Sequence, residues 1–266
     1  MNNLLKIFFI INLFSSTTSA VNNSSLPLST DLKIGQNVSE IVKRKGAINV
    51  QGGSRILGFS RGLDCQRHCT ISFPVSANNI NKKGFLVSFI CVENSVFTDN
   101  ERSVLIGHLG GAYNYKPELG LEYGHISIDP DFWSDDISHK IPYSHCAKSG
   151  RGIVDVDEPL PILPTPNSPL SVGDKVYARG GVSGTVNGVV LATGVTITVD
   201  RPGSCGEETE QFHDVVKVKM DKPYAPGNLG SPVYIPLPVP GSKQMIASPV
   251  GMVVENFDRD LDNDNT

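Results

Sequence analysis

The feature of this sequence that most restricts its fold is a succession of short β-branched segments closed off by turn residues. They run Ile71 to Val75, Gly84 to Val92, Val104 to His108, Leu121 to Ile128, Lys175 to Arg179, Val186 to Val199, Val215 to Met220, Ser231 to Pro236 and Ala247 to Val254. Val, Ile and Thr hold a stiff χ1 that suits a pleated surface, and no stretch sustains a helical period for long. With 26 glycines and 18 prolines punctuating 266 residues, a helical bundle is excluded and an all-β chain is expected. The run Leu160-Pro161-Ile162-Leu163-Pro164-Thr165-Pro166-Asn167-Ser168-Pro169 holds four prolines, which force an extended path with few backbone hydrogen bonds. It divides the folded part into halves of about 100 residues, a usual size for one small barrel. Two antiparallel β-barrels in tandem are therefore expected, the first over 46–159 and the second over 172–257, joined by a linker at 160–171. A polar segment at 21–45 precedes them and an acidic tail at 258–266 follows.

The first twenty residues stand apart. Lys6 supplies a positive start, Leu4 to Phe14 an apolar core, and Thr18-Ser19-Ala20 the small residues that a signal peptidase cleaves. The apolar run is shorter than the roughly 20 residues needed to cross a bilayer, so residues 1–20 are expected to be a removable export signal. The cleaved chain is expected to be extracellular, without attachment to a membrane. Its 23 Lys and Arg against 27 Asp and Glu give no general positive field, so nucleic acid is not an expected partner.

Export makes disulfides the default state of the five cysteines, Cys65, Cys69, Cys91, Cys146 and Cys205. The odd number leaves at least one thiol outside any intrachain bridge. No C-x-x-C spacing occurs and the histidines are scattered, so neither a metal site nor a cofactor is expected. Asn22, Asn23 and Asn37 each head an N-x-S sequon in the polar segment and are candidate glycosylation sites. The alternating acids from Asp258 to Asp264 lack the central glycine and closing glutamate of a calcium loop, and read as a solvated tail. Gly180 to Gly184 has the glycines of a phosphate cradle but no following Lys-Ser/Thr, and reads as a turn between strands.

The segment Ala225-Pro226-Gly227-Asn228-Leu229-Gly230-Ser231-Pro232-Val233-Tyr234 resembles the nucleophile loop of the chymotrypsin-like serine peptidases, P-G-D-S-G-[GS]-P-V. Gly84-Phe85-Leu86-Val87-Ser88-Phe89-Ile90-Cys91 is similar to that family's G-F-L-T-A-G-H-C. Leu121 to Ile128 resembles the D-[YF]-G-L-[IV] strand that carries the acid, and Val172 to Gly184 resembles the start of the second barrel. The matches keep the family's order from about Gly46 to Val254 and lie nearest its streptogrisin-like branch. The resemblance implies two tandem six-stranded antiparallel barrels and a disulfide between Cys69 and Cys91. It leaves the pairing of Cys65, Cys146 and Cys205 open.

In that family a serine attacks the carbonyl, a histidine takes its proton, an acid orients the histidine, and backbone N–H groups of the glycine loop stabilise the oxyanion. Here Ile90 stands at the histidine position, Glu122 at the aspartate position and Leu229 at the serine position. Isoleucine and leucine can neither move a proton nor attack a carbonyl, so the ordinary mechanism is lost. Gly227, Asn228 and Gly230 remain as the remnant of the oxyanion loop. Asn228 replaces the loop aspartate that the family buries in an ion pair, and a neutral amide keeps a hydrogen bond without matching a buried cation. The expectation is a pseudopeptidase that binds an unidentified protein or peptide.

Two other classes compete with this reading. A serine endopeptidase with a rearranged site would draw on His108, whose Gly107-His108 faintly echoes A-G-H-C, or on Ser231 beyond the nucleophile position. An inert surface protein would keep the fold alone. Glu122 and His125 are three apart along a strand and should face opposite sides, and Ser231 reads as a packing residue of the loop. His68, His139, His145 and His213 sit in no motif, and Trp133 reads as barrel packing.

Overall fold

The computed structural model describes residues 5–12, 50–59, 66–77, 82–88, 91, 96–99, 105–116, 121–127, 140–149, 152–163, 169–201, 208–222, 224–225 and 227–259. The described regular structure is all strand, as the density of β-branched residues and turn formers requires.

The first half contributes β2 (Arg55–Phe59), β3 (Gln66–Thr70), β4 (Pro74–Ala77), β5 (Lys82–Val87), β6 (Val96–Asp99), β7 (Leu105–Lys116) and β8 (Leu121–Ser127), following an N-terminal β1 (Leu5–Asn12). The seven form one antiparallel sheet in the order β3-β2-β6-β7-β8-β5-β4. Its two edge strands are neighbours in sequence, separated only by 71–73, and so short a connection can span no more than about 14 Å. The sheet must therefore curl until its edges meet. The connector completes the closure: the Gly53 N–H donates to the Ile71 carbonyl (2.8 Å) and the Ile71 N–H to the Ser54 carbonyl (2.9 Å) on one side. On the other, the Ser72 N–H donates to the Leu86 carbonyl (2.8 Å) and the Leu86 N–H to the Phe73 carbonyl (2.9 Å). β3 and β4 are thus the two arms of one bent strand, and the sheet is a six-stranded barrel filled by Ile56, Ile71, Phe85, Val87, Ile106 and Ile126.

The second barrel comprises β11 (Lys175–Gly180), β12 (Gly184–Arg201), β13 (Glu208–Met220), β14 (Pro232–Pro238) and β15 (Met245–Arg259), and β1 closes it in the order β1-β13-β12-β11-β14-β15. The circular order is the same in both barrels. The place taken by β8 in the first, between the third and fifth strands, is taken in the second by β1. Along β11 burial alternates, with Val176 and Ala178 inward, and β12 continues it with Val186 and Val190. Register shifts between Val190 and Ile197 bend this 18-residue strand. Its distal half then serves a second cluster of Ile197, Val199, Phe212, Val215 and Val254.

The Pro-rich segment departs from expectation at its start. β9 (Lys140–Ser149) and β10 (Gly152–Pro161) form a two-stranded ribbon in which Leu160 pairs with Ile141, and both side chains are buried. The next residues dock on β15, the Leu163 N–H donating to the Ala247 carbonyl at 2.8 Å. Proline is tolerated because β10 is an edge strand, where a missing N–H costs no ladder bond. Tyr143 of the ribbon meets Tyr177 edge-on (5.5 Å between centroids), and Tyr177 stacks on the buried Tyr234 (6.1 Å). The Gly180 to Gly184 segment is the turn it was expected to be, with Gly180 and Gly184 paired across it.

Candidate functional site

The Gly227 to Pro232 loop enters β14 at the junction of the two barrels. Gly227 and Gly230 both lie in the left-handed region, at φ 92° and 84°, which explains glycine at these two positions. Gly230 also passes so close to β3 that a Cβ there would lie 2.5 Å from the Thr70 carbonyl oxygen. The loop is pinned to both barrels. The Thr70 N–H donates to the Leu229 carbonyl (2.8 Å) and the Thr70 hydroxyl to the Gly227 carbonyl (3.0 Å), while the Gly181 N–H donates to the same hydroxyl (3.1 Å). The Gly230 N–H reaches the Val253 carbonyl (2.9 Å), and the Val253 N–H returns to the Ser231 carbonyl (3.0 Å).

Asn228 is 1% exposed, and its amide is committed to structure. Its Oδ1 accepts from the N–H groups of Val182 (3.0 Å) and Ser183 (3.4 Å), and its Nδ2 donates to Ser183 Oγ (2.7 Å). Ser183 Oγ in turn accepts from the Ala225 N–H at 2.9 Å. Gly180 makes room for this amide, because a Cβ on it would overlap Asn228 Oδ1. A neutral amide suits the cage, which offers two N–H donors to the oxygen and a hydroxyl acceptor to the nitrogen.

Leu229, which the sequence resemblance aligns with the serine, packs against the first-barrel cluster that includes Cys69 and Cys91 and also against the Ile197–Phe212 cluster of the second barrel. It fills the junction with apolar surface. The nearest hydroxyl in sequence, Ser231, is fully buried, and its Oγ donates to the Asn228 carbonyl at 2.6 Å. Burial pushes the phenol of nearby Tyr224 well above the ordinary tyrosine range. A hydroxyl turned inward and engaged in this way is not presented to a substrate carbonyl, so the serine is a packing residue.

Cys69 and Cys91 are joined in a disulfide with Cα atoms 6.4 Å apart, which anchors the chain next to Ile90 within the cluster that Leu229 touches. Ile90 itself lies outside the described residues. Glu122 stands in β8 in register with Tyr115, and His125 in the same strand with Leu86; only their backbone positions are described. His108 is held mid-sheet, in register with Val96 on β6 and Ser127 on β8. His145 sits in β9 opposite Val156, and His213 Nδ1 hydrogen-bonds Thr196 Oγ1 at 2.9 Å. Cys146 is in β9 opposite Asp155. Cys65, Cys205, Trp133, His139 and the sequons at Asn22, Asn23 and Asn37 fall outside the described residues.

Three members of this site were not singled out from the sequence, although Ser183 falls within the Val172 to Gly184 match. Thr70 and Ser183 are tied to the loop across sequence separations of 157 and 45 residues. The exposed His68 lies beside Gly227, its Cβ 3.5 Å from where a Cβ on that glycine would stand, and Val182, 44% exposed, flanks the same point. Among the described residues no three His, Cys, Asp or Glu side chains converge to hold a metal ion, and no helix is long and apolar enough to cross a membrane.

No protein-family model and no curated protein matches the chain. Among solved structures it is similar to Thermobifida fusca protease A, at 14% identity over 77% of this chain and 99% of that one with a TM-score of 0.44. Cellulomonas bogoriensis chymotrypsin matches at 14% identity over 79% and 91% (TM-score 0.43), and Nocardiopsis protease at 11% over 77% and 93% (TM-score 0.44). Independently of those superpositions, the paired six-stranded barrels, the Cys69–Cys91 bridge and the glycine loop at their junction give this chain the fold of the chymotrypsin-like serine peptidases.

Proposed function

We propose that this chain is a secreted serine-peptidase homologue without a peptidase mechanism, and that it acts by binding a protein or an extended peptide. The observation that carries the reading is Leu229: the residue aligned with the nucleophile is a partly buried apolar side chain packed against core clusters of both barrels, while the Ser231 hydroxyl is buried and engaged. Loss of the Ser–His unit removes the step in which a nucleophile is made at neutral pH, and loop geometry alone does not supply it. Ile90 at the histidine position and Glu122 at the aspartate position belong to the same reading. Exposed Val182 and His68 border the loop and would give an extended chain an apolar and a polar contact there. Export follows from the apolar leader and accords with the disulfide.

The test is treatment of the secreted protein with a serine-directed fluorophosphonate, followed by peptide mapping and a casein digestion assay. The expected result is no adduct between 224 and 234 and no cleavage. An adduct on Ser231, or casein turnover that disappears in Ser231→Ala, His108→Ala or His68→Ala, would overturn the reading.

A further inference from the structure

Arg55 is the one charged residue of β2, and it is half-buried where the two barrels meet. Its backbone abuts the turn between β11 and β12: a Cβ on Gly181 would lie 2.7 Å from both the Cα and the Cβ of Arg55. The contact is reciprocal, because Gly53, two residues before Arg55, lies against Arg179, two residues before Gly181. On β3 the residue in register with Arg55 is Thr70, whose hydroxyl accepts from the Gly181 N–H and donates to the Gly227 carbonyl. Arg55 is therefore fixed beside the hydrogen-bond chain that ends on the Gly227 loop.

This placement gives the cation no opposite charge. Its Nε is buried without a hydrogen-bond acceptor, and no carboxylate among the described residues pairs with the guanidinium. Arg179, by contrast, donates from one Nη to Thr185 Oγ1 at 3.2 Å. The segments that meet at the turn, 50–59, 66–73, 177–184 and 224–232, contain Arg55, Arg67, His68 and Arg179 and no Asp or Glu, in a chain whose net charge is −4. The acids of the adjoining strands are Glu158 on β10, in register with Tyr143, and Glu255 on β15, two residues past the Val253 whose carbonyl accepts from Gly230. A half-buried guanidinium left unpaired is costly, and its planar fork is matched by a carboxylate supplied from outside the chain.

We propose that Arg55 sets the partner preference of the Gly227 junction: the extended chain bound there carries an Asp or Glu whose carboxylate pairs with the Arg55 guanidinium, while Val182 and His68 meet its neighbours. The inference rests on the peptide-binding reading above and adds the chemistry of the residue that is bound. The carboxylate accepts hydrogen bonds that Arg55 does not make within the chain, and partial burial makes such a pair stronger than one in open water.

The probe is an array of immobilised octapeptides of random sequence, incubated with the fluorescently labelled protein. The strongest binders are remade with each Asp or Glu changed to its amide and titrated by fluorescence anisotropy. They should share an acid at one preferred position, and its amide should bind about tenfold or more weakly, the loss expected for a hydrogen bond to a charged group. Arg55→Gln should bind the acid and amide forms equally, and Arg55→Lys, which keeps the charge without the fork, should keep only part of the preference. If Arg55→Gln does not fold, Arg55→Lys decides, with the acid-to-amide ratio falling at least about threefold. Binders without a preferred acid, or a ratio unchanged in the variant, would overturn this inference and leave peptide binding standing. An array with no saturable binder would overturn both.

Discussion

Replacing Leu229 by serine puts a hydroxyl at the position that the resemblance assigns to the nucleophile and separates packing from chemistry in one variant. Leu229 touches the core clusters of both barrels while remaining partly accessible. Complete burial of a leucine makes its truncation cost roughly 3–5 kcal/mol, and a partly covered one at a junction should cost about 2–3 kcal/mol, with the serine hydroxyl adding to the penalty by facing apolar neighbours. Urea unfolding followed by circular dichroism should show the midpoint falling with m unchanged. Leu229→Met, which keeps volume and polarizable contact, should lose less than about 1.5 kcal/mol. The fluorophosphonate should leave Leu229→Ser unlabelled, because no imidazole stands at position 90 to take the proton. A loss below about 0.5 kcal/mol would show that Leu229 does not bridge the two cores, and rapid labelling would show a base within reach of that position.

Other outcomes follow from the same geometry. Gly230→Ala should cost about 3 kcal/mol or more, combining a left-handed backbone with a Cβ placed against the Thr70 carbonyl, whereas Gly241→Ala, at φ 73° with nothing within 4 Å, should cost only about 1 kcal/mol by thermal unfolding. Burial raises the phenol pKa of both Tyr224 and Tyr234, so the folded chain holds protons that the unfolded chain gives up. Stability should therefore be level below about pH 10 and fall above it by up to about 1.4 kcal/mol per pH unit for each tyrosine; urea midpoints from pH 8 to 11 that stay constant would refute this, and Tyr234→Phe should flatten the slope. The fourfold variant Ile90→His, Glu122→Asp, Asn228→Asp and Leu229→Ser should show at most weak hydrolysis of a chromogenic peptide, since the Asn228 cage offers no cation to a new carboxylate and a 1 Å misplacement costs about a hundredfold. Turnover at the rate of an ordinary peptidase would show that the supporting residues never drifted.

Short β-branched segments bounded by turn residues were legible from sequence alone, and β5, β8 and β11 to β15 overlap them. β3 was not, because Gln66, Arg67 and His68 show no apolar period; pairing with β2 and the burial of Cys69 and Thr70 make it a strand. β9 and β10 were hidden by their prolines, which an edge ribbon accepts. Leu5–Asn12 shows the opposite ambiguity, since a run of Ile and Phe reads equally as the core of a leader and as a buried strand. At the site, the spacing of Gly227 and Gly230 around Asn228 and Leu229 carried the loop shape. Thr70 and His68 were invisible, and the tie of Ser183 to Asn228 unreadable, because only the tertiary fold brings them to the loop.

The Thr70 hydroxyl, which accepts from Gly181 of one turn and donates to Gly227 of another, makes a three-way knot where the barrels meet. Its neighbour Cys69 is tied covalently to Cys91 inside the first barrel, so strain arriving at the knot from the second barrel is passed into the first through a crosslink rather than relaxed by a sliding strand. Two halves joined by a proline-rich connection would otherwise be free to rock about it as independent bodies. With this fastening, a relative shift of the two barrels at this point has to break the hydrogen bonds of Thr70 to Gly181, Gly227 and Leu229.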